Sequence, residues 1–527
     1  MRAPNVATIP PGVPFLETLV DALLDGRLVE GFRLGADPLA LTDVTLFLPT
    51  RRAARAIREV FLARLGPAVL LPRIRTLGDV DEDEAFFDPG AAEALDGLPP
   101  AIPPVARQLA LARLVRGWSG ALVRAAAGLG EEPLLVPASA ADAARLAAVL
   151  GRLIDQVGSE GPGWDALPRE LGPELTRYWQ ITLAFLEIVT AAWPEHLAAR
   201  GLVDPGTRRD RLVRAEAGRL ERAGSAGPVV AAGSTGSVPA TAVLLSAIAR
   251  LPNGAVVLPG LDAGLDEDGW RAVAEPKEDP AAAGHPQAGL KRLLSTLGVE
   301  RADVRSLAAP PQALRLRERV VSEALRPAAT TGRWAGPGAL PASDKAAALE
   351  GVALVEAANE REEALAIAVI LRRSIAEGER VAALVTPDRK LARRVAVELR
   401  RWDIQVDDSG GVPLGTTPAG IFARLVAEAG LGGMPAGTLL ALLKHPNARF
   451  GLPAAAAHRA ARALERAVLR GPRLAPGSGA LRHALRIADA VRKLSPEERE
   501  EGARVPRAAR TLAPEDWAAA HDLADRL

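Results

Sequence analysis

An α/β fold is what the sequence predicts, on three observations. Short apolar runs of strand length recur along the chain: Val6 to Ile9, Val44 to Leu48, Pro228 to Ala232 and Ala255 to Leu258. Most of them pass, through a turn rich in Pro, Gly or Thr, into a segment whose apolar residues repeat at three and four. From about Val105 to Arg222 the strand-like runs stop and only the helical period remains. Strands alternating with helices indicate a parallel sheet covered by helices, and the strandless block reads as a helical insertion.

The chain has 527 residues, 48% hydrophobic and 24% charged, enough for several cores and, as a soft prior, roughly three or four domains. Its net charge of +1 gives no global field toward nucleic acid, so any basic surface must be local. Of 65 basic residues only Lys277, Lys291, Lys345, Lys390, Lys444 and Lys493 are lysine. The absence of cysteine excludes disulfides, cysteine zinc sites, iron–sulfur ligation and thiol nucleophiles. The first residues lack the apolar centre of a signal peptide and no long apolar run follows, so a cytoplasmic protein without a membrane partner is expected.

Taken in order, Val6 to Ile9 is a strand, Pro10 to Val13 a turn, and Pro14 opens a helix burying Phe15, Leu16, Leu19, Val20 and Leu23. That is where a phosphate-binding P-loop would lie. None of the six lysines follows a glycine, so Pro10, Pro11, Gly12 and Pro14 form a degenerate nucleotide loop. Val44 to Leu48 is the next strand, Pro49 ends it and Thr50 caps a helix. On that helix Ala53, Ile57, Val60 and Phe61 share one side, while Arg51, Arg55 and Arg58 share the other. Arginines at a helix N-terminus, beside the C-terminal end of a strand, suit a phosphate-facing role; a solvated polar face is the alternative.

Leu70 to Ile74 is a further apolar run, and the acidic stretch Gly78 to Glu84 reads as a solvated loop. Helices are predicted over Gln108 to Val115, Ala140 to Val157, Leu175 to Ala192 and Arg208 to Ala223. There Trp164, Tyr178, Trp179, Phe185 and Trp193 are expected as packing anchors rather than base-stacking platforms. After the third strand, Gly233, Ser234, Thr235, Gly236 and Ser237 form a possible phosphate loop before a helix from Ala240 to Arg250. Neither that strand nor Ala255 to Leu258 runs into the Asp-Glu pair that ATP hydrolysis needs.

Residues 306–348, rich in Pro, Ala, Arg and Gly, are the expected linker. A second α/β unit then opens: strand Val352 to Ala357, helix Glu360 to Glu377, strand Val381 to Val385 and a helix from Arg389 to Arg401. Arg389 and Arg393 repeat the earlier placement of arginines after a strand. Beyond Thr416 the chain reads as helical. The expected domains are 1–104 continued by 226–305, the insertion 105–225, the linker 306–348, and 349–527.

Catalytic patterns are missing. Glu275-Pro-Lys277 and Asp388-Arg-Lys390 superficially echo the carboxylate-lysine pair of magnesium nucleases, but the first contains proline and Asp388 reads as a helix cap. The six histidines show no metal-ligand spacing, and no nucleophile elbow occurs.

Several blocks together resemble a known family. Thr8-Ile-Pro-Pro-Gly12, Leu48-Pro-Thr-Arg-Arg-Ala-Ala-Arg55, Gly78-Asp-Val-Asp-Glu-Asp-Glu84, Tyr178 to Thr190, Ala231-Ala-Gly-Ser-Thr-Gly-Ser237, His285-Pro-Gln287 and Leu442-Leu-Lys-His-Pro446 are similar to the alphaproteobacterial form of AddB. AddB is the second subunit of the AddAB helicase-nuclease, which resects double-strand breaks for homologous recombination. The resemblance implies RecA-like domains of the UvrD-type superfamily 1 helicases, with a helical insertion. It places Pro10 to Pro14 at Walker A, Ala232 to Pro239 near Walker B, and Pro49 to Arg55 at a DNA-contacting segment. Arg51, Arg52 and Arg55 are then the expected DNA contacts, with Arg389 and Arg393 weaker ones. The implied role is an inactive helicase-like scaffold that holds DNA ends, while the partner AddA supplies ATP hydrolysis with its magnesium. The family's nuclease magnesium and cysteine-ligated iron–sulfur cluster belong to a C-terminal half that this sequence ends before. This chain is accordingly expected to carry no cofactor and to lack nuclease and ATPase activity alone. Two rival readings remain, a docking scaffold without DNA contact and a small-molecule transferase using the Gly233 to Ser237 loop.

Overall fold

In a computed structural model, the residues described are 3–35, 39–77, 97–126, 139–160, 164, 182, 185–273, 284–336, 338–378, 381–470, 474–495, 498 and 506–527. The chain divides into two units, Met1–Ala353 and Leu354–Leu527.

The first unit is built on six strands: β1 Val6–Ile9, β2 Thr45–Leu48, β3 Arg73–Thr76, β4 Val229–Ala232, β5 Gly254–Pro259 and β6 Arg305–Ser306. They form one parallel sheet in the order β3-β2-β4-β5-β1-β6. Val6 stands opposite Val256, and Thr45 opposite Val229. Parallel strands covered on both faces read as continuous apolar runs, which is why β1 and β4 are buried at every position. Alternate residues feed two cores. Phe47, Val229, Ala231, Val256 and Leu258 face one side; Ile9, Leu46, Leu48, Val230 and Val257 face the other. Buried Thr8 is satisfied, its Oγ1 donating to Leu258 O at 3.1 Å and accepting from Leu261 N at 3.2 Å.

The second face is covered by α1 (Phe15–Leu24) and α2 (Arg51–Leu65). On α2 the fully covered residues are Ala54, Ile57 and Phe61; Ala53 and Val60, expected inside, sit at the flanks. The insertion begins with α3 (Pro104–Ala126) and α4 (Ala140–Glu160), followed by α5 (Trp193–Ala198) and α6 (Pro205–Ala223). Residues 188–192, expected as ordinary helix, are wound as one π-turn entering α5. Trp193 is buried, Trp164 and Phe185 flank the insertion core, and Trp118 meets Phe185 edge-on at 5.0 Å, the packing role expected of these aromatics. Tyr178 and Trp179, and the acidic loop 78–84, lie outside the described residues. Helix α6 was expected in the insertion, yet its Val213, Ala217 and Leu220 join the sheet core, because their spacing puts them on one face of the helix, which packs against the helix at Pro239–Arg250. With α7 (Pro239–Arg250), α8 (Glu267–Ala272) and α9 (Ala288–Leu297) it covers the first face.

The expected linker is structured instead. It carries α10 (Gln312–Ala324), a 3₁₀ segment over Ala328–Ala335, and α11 (Ala342–Ala348). The cause is Arg326, whose side chain is 1% exposed and bridges Asp266 and Glu323, fixing this stretch to the N-terminal end of α8.

In the second unit, α12 (Glu360–Ala376) packs on α13 (Arg389–Arg400) through Ala364, Ala368, Val395 and Leu399. The two expected strands do not form. Residues 352–357 and 381–385 join no ladder, and Val381 and Val385 are 100% and 94% exposed. A parallel strand needs a hydrogen-bonded neighbour and a second covering layer, and neither is present among the described residues. The remainder of the unit is helical, as expected: α14 (Pro418–Leu431), α15 (Ala436–Leu443), α16 (Ala454–Leu464), α17 (Ser478–Lys493) and α18 (Pro514–Arg526). The last four close around Leu443, Leu464, Leu485 and Trp517. Among the described residues no helix is long and apolar enough to cross a membrane.

Candidate functional site

In a parallel sheet every strand delivers its following turn to the same edge, the edge where α/β proteins bind ligands. Here β1, β2, β4 and β5 bring together Pro10 to Pro14, Pro49-Thr50, Gly233 to Ser237 and Gly260 to Asp262.

The turn after β1 lacks what a phosphate loop needs. Such loops hold anions through successive backbone N–H groups, and Pro10, Pro11 and Pro14 have none. Gly12 keeps a left-handed φ of 80°, but a β-carbon there would stand 3.1 Å from Leu314 Cδ1, so α10 lies directly over the turn. Pro14, at the N-cap of α1, makes no side-chain cap.

A polar latch holds α10 in that place. Gln287 donates from Nε2 to Gly260 O at 3.0 Å and accepts from Asp262 N on Oε1 at 3.1 Å. Asp262 Oδ1 accepts from Gly264 N and Leu265 N at 2.8 and 3.0 Å, while Oδ2 accepts from Ser322 Oγ at 2.6 Å. His285 Nδ1 accepts from Gln287 N at 3.1 Å; the hydrogen is therefore assigned to Nε2, which donates to Leu325 O at 2.9 Å. Next to it Arg326 donates to both oxygens of Asp266 at 3.0 Å and to Glu323 at 2.9 and 2.6 Å. The Arg326 guanidinium, and after it the Gly269 amide, hold the Asp266 carboxyl below its ordinary range. Between α10 and the turns lies a pocket of about 250 Å³, lined among others by Pro11, Asp262, His285, Leu314, Glu318 and Val321.

Arg51, Arg52 and Arg55 lie exposed on the first turns of α2, whose cap forms as the sequence predicts, Thr50 Oγ1 accepting from Ala53 N at 3.1 Å. The Gly233 to Ser237 loop is beside them, at the end of neighbouring β4. A β-carbon on Gly233 would stand 3.5 Å from both Phe15 Cε1 and Pro49 Cδ. Two of its amides are already used, Gly233 N by Val257 O at 2.9 Å and Gly236 N by Ser234 Oγ at 3.2 Å. Helix α7 then starts on Pro239, which has no N–H, so this loop is poorly equipped as a phosphate cradle.

The arginines of the second unit differ. Arg389 is committed to Asp408 through two bonds of 3.0 and 2.6 Å and to Gly411 O at 3.0 Å. That guanidinium, with the Gly410 amide behind it, holds Asp408 down at about 2. Arg393 stays exposed. Asp388 caps its helix, accepting from Lys390 N at 2.7 Å, as read from the sequence. Glu275 and Lys277 fall outside the described residues.

Among the described residues no group of three or more His, Asp or Glu is placed to hold a metal ion. The sequence reading assigned no role to Asp262, Gln287, Glu318 or Ser322. Their partners are up to 60 positions apart, and the only hint was the His285-Pro-Gln287 block. No protein-family model matches the chain, and no curated protein matches it.

Proposed function

We propose that this chain is the inactive helicase-like part of an AddB-type subunit. In this reading it is a double-strand break repair protein whose first unit is a RecA-like domain, and it holds DNA ends and scaffolds AddA, the partner that hydrolyses ATP. The observation that carries the proposal is the contrast at one sheet edge. The turn where a nucleotide would bind has three prolines and a helix lying over it, whereas the adjacent α2 presents Arg51, Arg52 and Arg55 to solvent. The parallel six-stranded sheet is compatible with a RecA-like domain. The commitments of Gly233 N and Gly236 N weigh against the transferase reading.

The test is binding of the purified chain to single-stranded and tailed duplex DNA over a salt series, beside an Arg51→Ala/Arg55→Ala variant. Each lost phosphate contact flattens the slope of log K against log salt by about 0.7 on single strands and about 0.9 on duplex. The double variant is expected to lose about 1.4 on single strands. A folded wild-type chain that fails to bind at low salt overturns the DNA-holding role and favours docking to AddA without DNA contact.

A further inference from the structure

The pocket over the degenerate nucleotide loop has the opposite electrostatic character from the site it replaces. One face of α10 supplies Leu314, Glu318, Val321, Ser322 and Leu325, residues that recur at the spacing of a single helical stripe. Pro11 and Gly12 close the pocket from the β1 turn, and Asp262 and His285 from the far side. Val321 and Leu325 are still 50% and 46% exposed, so the walls are apolar and accessible.

The charged groups facing this space are few. Arg317 is turned to backbone carbonyls, donating to Ala348 O at 2.8 Å and Glu350 O at 2.7 Å. Asp262 is hydrogen-bonded on both carboxyl oxygens. Glu318 is half-buried and has no hydrogen bond or ion pair among the described residues. Burial, and after it the negative field of Asp262, hold its carboxyl above the usual range. An acid left in this condition gains from a cation, and the one guanidinium among the pocket's lining residues, Arg317, spends its Nε and Nη2 on backbone carbonyls rather than on Glu318.

We propose that the pocket binds a guanidinium or ammonium group on an aliphatic stem, the stem lying along Leu314, Val321 and Leu325 and the cation meeting Glu318 beside Asp262. About 250 Å³ is room for one such side chain and too little for a nucleotide. The charge pattern selects the cation and the apolar stripe selects the stem, as in the snorkelling of arginine and lysine. The inference goes beyond DNA binding and stands apart from it, because neither Arg51 nor Arg55 lines this pocket.

The probes are agmatine, the peptide acetyl-Gly-Arg-Gly-amide, the same peptide with uncharged citrulline, and inorganic phosphate. Binding to the full chain is followed by calorimetry and by ligand-observed saturation-transfer NMR. The arginine peptide or agmatine is expected to bind about tenfold or more tightly than the citrulline peptide, the worth of a charge-assisted hydrogen bond. Glu318→Gln should abolish that preference, and Leu314→Trp should block entry, both with unchanged circular dichroism. Binding should strengthen as pH rises through the elevated range of Glu318, since the cation selects the ionised form. Agmatine binding alone assigns a free small molecule; binding of the peptide as well assigns a partner protein's side chain. Equal binding of the citrulline peptide, indifference to Glu318→Gln, competition by phosphate, or no binding by folded protein overturns the proposal.

Discussion

Replacing Arg326 by alanine probes the contact that turns an apparent linker into a cover for the sheet edge. The side chain is 1% exposed and donates to two carboxylates on different elements, Asp266 at the start of α8 and Glu323 on α10. Removing one partner of a buried pair typically costs about 3 to 5 kcal/mol, because charge is left buried without compensation. Here the stranded carboxylates are 24% and 20% exposed, and Asp266 keeps Arg333 at 2.5 Å and Gly269 N at 2.8 Å, so the lower end, about 3 kcal/mol, is expected. Urea unfolding should show this as a lower midpoint at unchanged m-value, and hydrogen exchange should show the loss concentrated on α10. The pH dependence supplies a second check. The folded-state pKa of Asp266 is depressed, so its contribution is present above the ordinary carboxylate value and is lost as pH falls through the depressed one. Arg326→Ala should flatten that acid limb. A cost under about 1 kcal/mol, with protection of α10 unchanged, would refute the latch.

Two further substitutions test the fold. Gly254→Ala places a β-carbon 1.9 Å from Ile248 O at the start of β5, an overlap with backbone, and should cost at least about 3 kcal/mol or prevent folding; a measured change under about 1 kcal/mol would contradict the turn geometry. Val381→Lys and Val385→Lys, at positions 100% and 94% exposed, should change stability by no more than about 0.5 kcal/mol, whereas loss of several kcal/mol in chemical unfolding would mean that this stretch is a buried strand after all.

Local chemistry was legible in the sequence where it acts over a few residues. Thr50 and Asp388 cap the helices they precede, the prolines at positions 10, 11 and 14 rule out an anion-binding turn, and β1, β2, β4 and β5 are the apolar runs that a doubly covered parallel sheet requires. The partial errors share a cause. Composition described 306–348 as a linker because Pro, Gly and Arg usually mark exposed chain, yet Arg326 is buried against Asp266, 60 positions away. Apolar pattern described Val381 to Val385 as a strand, yet pattern states only what a segment prefers beside neighbours, and the described residues provide none.

By itself, then, the sequence determined the four central strands of the first unit, the caps of the helices at Arg51 and Arg389, and that the first turn cannot cradle phosphate, because each depends on dihedral preference, period or a missing N–H nearby. Only the tertiary structure decided that α10 lies over that turn and sets Glu318 in one pocket with Asp262, without a hydrogen bond or ion pair of its own among the described residues. Charge and burial at a site are set by groups that meet in space, and long separation in the chain hides them from any local reading.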